Sequence, residues 1–270
     1  MKLAVIGHPI NHSKSPIIHN KWLADNRIEG TYEAIDIAVE GFATQIQGLV
    51  DAGFDGFNIT IPHKQNIMAL CDTVDETAQK IGAVNTVVIN QGRLSGYNTD
   101  AYGFIQNIRS KHENFEFKGK CALVLGAGGA ARAVLQGLVE QNIKKIYLSN
   151  RTIEKANMLK EMHPDIIEVV AWEEYEAHLG QVDILANTTS LGMVGKYPLE
   201  IDLTHLKKYA LVTDIVYTPL KTPLLEQAEK QGHDIVTGLG MLLYQAQQSF
   251  EIWTGKTPDV DDDLRRDVLA

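Results

Sequence analysis

The stretch Cys121-Ala-Leu-Val-Leu-Gly126-Ala127-Gly128-Gly129-Ala130-Ala131-Arg-Ala133 decides the fold. Ala122 to Leu125 is a strand-length apolar run, Gly126 to Ala131 has the form G-x-G-x-x-A, and strong helix formers continue to Leu138. The order is strand, tight turn, helix. Gly126 allows the sharp turn, Gly128 lets the backbone approach a pyrophosphate, and the small Ala131 lets the helix pack on its strand. Free N–H groups at the helix start and the helix dipole then favour an anion. Gly126, Ala127, Gly128, Gly129 and Ala130 are therefore candidate dinucleotide ligands.

Downstream the pattern alternates: strand 145–149, helix 153–162, strands 166–170 and 182–187, strand 210–216, helix 223–231 and a short strand 234–236. Such alternation predicts parallel βαβ units. Upstream, strands are expected at 2–6, 31–37, 54–61, 82–89 and 94–97, with helices at 17–26, 41–52, 75–81 and 102–110. The polar segment 111–120 reads as a connection. The expected class is α/β with two domains: a mainly parallel α/β domain over 1–110, completed by helices within 240–270, and a Rossmann-type domain over 111–239. Gly238 and Gly240, where the chain returns, are expected hinge positions.

Composition bounds the function. The chain of 270 residues is 44% hydrophobic and 22% charged, ordinary for a globular protein, and carries a formal charge of -9. That charge disfavours nucleic acid and anionic membrane as partners. The apolar run after Met1-Lys2 is too short for a secretory signal, and no run of 18 apolar residues occurs. Cys71 and Cys121 lie in apolar segments without metal-ligand spacing, so no metal is expected and a reducing cytoplasm fits. The expected partner is a small molecule, with a monomer or homodimer as the assembly.

The second strand of the dinucleotide fold indicates which cofactor. An NAD site places an acidic residue about 20 residues after the glycines. Here the strand ends Ser149-Asn150-Arg151-Thr152, with Lys155 following. A guanidinium fork and an ammonium suit a 2′-phosphate, and cations at a helix N-terminus oppose the dipole unless an anion offsets them. The expected cofactor is NADP.

In the first domain, Ser13 and Ser15 precede Pro16 at a helix start, where they serve as caps or as a carboxylate pocket. Asn58 and Thr60 share one face of a strand that Pro62 ends, which puts Lys64 just past the carboxyl end, where open α/β sheets place ligands. A solvated surface lysine is the other reading. Asp100, ahead of the 102–110 helix, suits either a cap or a site.

Seven motifs together resemble the shikimate dehydrogenase family over the whole chain: Ser13-Lys-Ser15-Pro16, Asn58-Ile-Thr60-Ile-Pro62-His-Lys64, Gly82-Ala-Val-Asn85-Thr86, Gly96-Tyr-Asn-Thr-Asp100, Gly126-Ala-Gly-Gly-Ala130, Asn150-Arg-Thr152 and Gln245-Ala-Gln247. Lys155 stands where the family usually has a second arginine. The resemblance implies reversible NADPH-dependent reduction of 3-dehydroshikimate to shikimate. By the same resemblance Lys64 and Asp100 are the catalytic pair, Ser13, Ser15 and Tyr217 bind the substrate carboxylate, and Asn58, Thr60, Asn85 and Gln245 bind ring hydroxyls. Glu76, Ile215, Gly238 and Met241 would border the nicotinamide. The alternatives are a quinate/shikimate enzyme using NAD and a non-catalytic ligand-sensing relative.

Overall fold

The computed structural model describes all 270 residues. They divide into two compact units, Met1–Gly103 with Leu243–Ala270, and Phe104–Leu242.

The first unit begins with β1 (Lys2–Gly7), α1 (Ser15–Asp25), β2 (Thr31–Asp36), α2 (Phe42–Asp51) and β3 (Gly56–Ile59). After a 3-10 turn at Asn66–Leu70 come β4 (Thr73–Val74), α3 (Glu76–Ile81), β5 (Thr86–Asn90) and β6 (Arg93–Tyr97), and then α4 (Asp100–Lys111), within which the division of units falls. The six strands lie in the order β2-β1-β3-β5-β6-β4. The β1–β2, β1–β3 and β4–β6 pairs are parallel, while β3–β5 and β5–β6 are antiparallel. β1 is a central strand, which is why Leu3, Ala4, Val5 and Ile6 form an uninterrupted apolar run with no more than 3% exposure.

Two local expectations are corrected. The 54–61 stretch does not alternate to Ile61: β3 ends at Ile59 and Ile61 is 69% exposed. Beyond β3, Thr60 N–H donates to the Ile6 carbonyl and His8 N–H to the Ile61 carbonyl, and His63 N–H turns back to the Thr60 carbonyl. All four residues of β3 are buried, so Asn58 is polar because it is hydrogen-bonded inside the unit, not because its face meets water. The helix α1 starts at Ser15 rather than Ile17, and its N-cap residue, Lys14, makes no side-chain cap bond, while Ser13 Oγ accepts from the N–H of Ser15.

The second unit contains β7 (Cys121–Leu125), α5 (Gly129–Glu140), β8 (Lys145–Ser149), α6 (Ile153–Lys160), β9 (Ile167–Val170), β10 (Ile184–Asn187), β11 (Leu211–Asp214), α7 (Pro223–Lys230) and β12 (Asp234–Val236). All pairs are parallel and the order is β12-β11-β10-β7-β8-β9. Counted from β7 this is the 3-2-1-4-5-6 arrangement of the doubly wound dinucleotide fold, with its switch point between β7 and β10. Leu123, Val124 and Leu125 are fully buried, each side chain contributing about 1.5–3 kcal/mol.

The chain ends with α8 (Leu239–Thr254), which spans the second division, and α9 (Asp262–Leu269). In the first unit Trp253 donates to the Val87 carbonyl (2.9 Å) and Trp22 to the Asp259 carbonyl (2.9 Å), so the C-terminal residues form part of that unit's core. Close approach of backbone requires glycine at 238, while at 240 a side chain fits only if Asn107 moves. A Cβ at Gly238 would lie 2.3 Å from the Ile215 carbonyl oxygen, and one at Gly240 would lie 1.9 Å from Asn107 Oδ1. Gly238→Ala is expected to destabilise the second unit by about 1–3 kcal/mol, because backbone must move to admit the methyl. A urea midpoint equal to that of the parent would contradict this packing.

Candidate active site

The first unit gathers five of the expected residues into one hydrogen-bonded network. The turn after β3 is pinned by His63, a fully buried residue whose ring stacks on Phe42 (centroids 4.3 Å) and whose Nε2 meets the Ile37 carbonyl at 2.5 Å. The next residue, Lys64, has its backbone carbonyl bonded by Val84 N–H (2.8 Å) and sends Nζ to Asp100 Oδ2 at 2.5 Å. The Lys64 and Asp100 side chains are 23% and 11% exposed, so the pair is sheltered from solvent yet reachable.

Asp100 does not cap α4. The Asn98 side chain accepts from Asp100 N–H (3.0 Å) at the start of α4, and the Asp100 carboxylate is taken by Lys64 and by Asn85 Nδ2 (2.8 Å). The orientation of Asn85 follows from donor accounting. Thr99 N–H can only donate and lies 2.9 Å from Oδ1, so the amide nitrogen must face Asp100 and Thr99 Oγ1 (2.9 Å). Gln245 Oε1 lies 3.4 Å from the same nitrogen.

Asn58 is oriented by the same logic. Its Nδ2 lies 3.1 Å from the Asn85 carbonyl, which can only accept, so Oδ1 faces Tyr32 and the phenol must donate (2.6 Å). Thr86 Oγ1 and Ser249 Oγ lie 3.1 Å from the same Nδ2. Burial pushes the Tyr32 phenol well above its usual range, with the Ser15 hydroxyl pulling the other way, so it stays a donor. Ser13 Oγ accepts from the N–H of Ser15, the first residue of α1 (3.3 Å), and Thr60 packs its methyl against Gly7 where β1 and β3 end. Tyr32, His63, Thr86, Thr99 and Ser249 were not legible as site residues. Only their burial beside Asn58, Asn85 and Lys64 marks them.

The second unit gathers the dinucleotide candidates at the carboxyl ends of its strands. Gly126 has φ +107°, a conformation that favours glycine, and its amide bonds the Ser149 carbonyl (2.8 Å). Asn150 ties the two turns together, its Oδ1 accepting from Ala127 N–H (3.1 Å) and its Nδ2 donating to the Thr152 carbonyl (2.8 Å). The N-cap of α5 is Gly128, which offers no side chain to the first-turn N–H groups. A Cβ at Gly128 or Gly129 would meet no protein atom within 4 Å. Uncapped N–H donors beside open space fit a pyrophosphate. Arg151, Thr152 and Lys155 are exposed, and neither Arg151 nor Lys155 forms an ion pair. Two free cations at the end of β8 fit a 2′-phosphate.

Ile215, Tyr217, Gly238 and Met241 belong to this second unit, and Gly238 packs on Ile215. Burial raises the Tyr217 phenol above its usual range. Glu76, by contrast, lies in the first unit, where it pairs with Lys80 (2.6 Å) and is 81% exposed. There is no cluster of side chains able to hold a metal ion, and no helix is long and apolar enough to cross a membrane.

Three families match the chain in succession: the shikimate dehydrogenase substrate binding domain over residues 5–87, shikimate / quinate 5-dehydrogenase over 108–216, and the shikimate 5'-dehydrogenase C-terminal domain over 238–265. A shikimate dehydrogenase (NADP(+)) of Methylobacterium radiotolerans is 46% identical over 269 residues, covering 98% of this chain and 95% of that protein. The chain belongs to the shikimate dehydrogenase family. Among solved members, shikimate 5-dehydrogenase from Thermus thermophilus in complex with NADP(H) and shikimate matches with a TM-score of 0.89 at 35% identity, covering 100% of this chain and 98% of that one. The quinate dehydrogenase from Corynebacterium glutamicum in complex with NAD matches with a TM-score of 0.93 at 30% identity, covering 100% and 98%. Proteins of this fold thus include a shikimate enzyme solved with NADP(H) and a quinate enzyme solved with NAD.

Proposed function

We propose that this chain is an NADP-dependent shikimate dehydrogenase that interconverts 3-dehydroshikimate and shikimate. The observation that carries the chemistry is the Lys64–Asp100 pair, held by Asn85 in a sheltered position. When bound, the cofactor supplies the hydride for carbonyl reduction and takes it up in the reverse direction. Negative charge then develops on the substrate oxygen, and Lys64 Nζ stabilises it and hands over a proton, which Lys64 recovers when shikimate is oxidised. Asp100 keeps the ammonium aimed and accepts from a neighbouring ring hydroxyl. Ser13 and Ser15 at the start of α1 bind the substrate carboxylate. Thr60 and Gln245 line the ring, and Asn58, whose amide nitrogen is engaged inside the unit, retains one acceptor position on Oδ1 for it.

Gly126 to Ala130, Asn150, Arg151, Thr152 and Lys155 hold NADP. The NAD-linked quinate reading draws on the Corynebacterium glutamicum likeness, but β8 ends without the carboxylate that a ribose 2′-OH needs. The free thiols Cys71 and Cys121 suit a cytoplasmic enzyme. Purified protein assayed with shikimate and quinate, each with NADP+ and NAD+, tests the proposal. Shikimate with NADP+ is expected to give the highest kcat/KM. Arg151→Ala is expected to reduce the preference for NADP+ by about 10- to 100-fold, the worth of one charged hydrogen bond at about 1.5–3 kcal/mol. A parent enzyme that prefers NAD+ or quinate would refute it.

A further inference from the structure

Asp214 closes β11 with 1% exposure, and none of the ion pairs in the protein includes it. Its oxygens are satisfied by donors alone: Oδ1 accepts from Val216 N–H (2.9 Å), and Oδ2 accepts from Asn187 Nδ2 (3.0 Å) and Thr222 Oγ1 (2.7 Å). Thr222 is the N-cap of α7 yet makes no cap bond, its hydroxyl being committed to the carboxylate. Asn187, fully buried at the end of β10, passes the constraint on. Its amide nitrogen also donates to the Leu191 carbonyl (3.1 Å), and its Oδ1 accepts from the N–H (3.0 Å) and hydroxyl (2.7 Å) of Thr189.

The two segments held this way adjoin the dinucleotide candidates. A Cβ at Gly126 would lie 2.6 Å from Thr188 Oγ1 and 3.0 Å from Thr189 Cγ2, so residues 188–189 wall one side of the glycine turn. Residues 215–217, fastened through Val216 N–H, are the segment on which Gly238 packs. We propose that Asp214 is a positioning residue of the cofactor site, which through Asn187, Val216 and Thr222 holds the 188–191 segment beside the glycine turn and the 215–217 segment against Gly238. This inference rests on the NADP reading above.

The charge is needed because every partner is a donor. With Asp214→Asn the new amide nitrogen faces either Asn187 Nδ2 or Val216 N–H, and Asn187 cannot turn round because its Oδ1 is committed to Thr189 N–H. The near-isosteric change therefore sets donor against donor in either orientation.

Titration of the full-length protein with NADP+ by calorimetry, and separately with shikimate in the absence of NADP+, tests the proposal, with circular dichroism reporting folding. For Asp214→Asn the NADP+ dissociation constant is expected to rise at least ten-fold while that for shikimate changes less than two-fold. Thr222→Val, which removes one donor and no helix cap, is expected to weaken NADP+ two- to five-fold, and it decides the matter if Asp214→Asn does not fold. NADP+ affinity within two-fold of the parent in the folded variants, or equal losses for NADP+ and shikimate, would overturn the inference alone. A parent protein that binds no NADP+ would remove the functional reading and this inference together.

Discussion

Lys64→Ala is expected to lower kcat for shikimate oxidation by about 10²–10⁴-fold, the range for losing a positioned proton-transfer group. The KM for shikimate should change by less than ten-fold, because the interaction is made mainly in the transition state. In the ground state the ammonium already has a partner in Asp100 Oδ2 at 2.5 Å, so substrate binding gains little from it. As hydride leaves or arrives, the charge on the substrate oxygen changes by a full unit, and a fixed cation in a sheltered site acts on that change. Removing Lys64 leaves the Asp100 carboxylate in place, since Asn85 still donates to Oδ1 and Asn98 still fixes the helix start. The variant should therefore fold, bind NADP+ as the parent does and fail in turnover. Steady-state kinetics with unchanged kcat would remove Lys64 from the mechanism.

Acid is expected to destabilise the first unit through His19. This residue is fully buried, with neither ring nitrogen hydrogen-bonded. Its ring stacks on Tyr32 (centroids 4.3 Å) and is edged by Trp22 (5.6 Å) and Trp253 (5.4 Å). Burial pushes its pKa down to about 3 from 6.5, with Asn58 acting in the opposite direction. The folded form thus holds a neutral ring where the unfolded chain binds a proton below pH 6.5. The associated stability is fully present above pH 6.5 and is lost as pH falls from 6.5 towards 3. At pH 5 the loss is about 2 kcal/mol, and over the whole window about 5 kcal/mol, at 1.36 kcal/mol per unit. Urea unfolding at pH 7.5 and pH 5 for the parent and for His19→Phe checks this. The variant keeps an aromatic ring but has nothing to protonate, so its stability should fall by about 2 kcal/mol less between the two pH values. Equal falls would show that His19 does not carry the acid sensitivity.

The dinucleotide unit was legible to within a residue or two at most boundaries. Its signals are local: an apolar run, glycines that must adopt a special backbone or leave space, and helix formers after them. The first unit was legible in its elements and less so in its details. The apparent alternation through Phe57, Ile59 and Ile61 did not extend β3, because a central strand is buried on both faces and polar positions in it reflect hydrogen bonding rather than exposure. Lys64 and Asp100 were legible as residues whose local readings were ambiguous. The cap reading of Asp100 failed because α4 already starts at Asp100 and its carboxylate is taken by Lys64 and Asn85.

By itself the sequence determined the strand-turn-helix at Cys121–Ala133, the alternation that makes a parallel sheet, and the pairing of Arg151 and Lys155 without a carboxylate at the end of β8. Each depends on neighbours along the chain, where spacing is geometry. Only the tertiary structure decided that Lys64 meets Asp100, that Thr99 N–H orients Asn85 and the Asn85 carbonyl orients Asn58, and that Asp214 ties three segments together. The direction of a buried hydrogen bond depends on which donors and acceptors the fold brings within 3 Å. Partners such as Asn58 and Ser249, 191 residues apart, carry no mark of each other until the chain has folded.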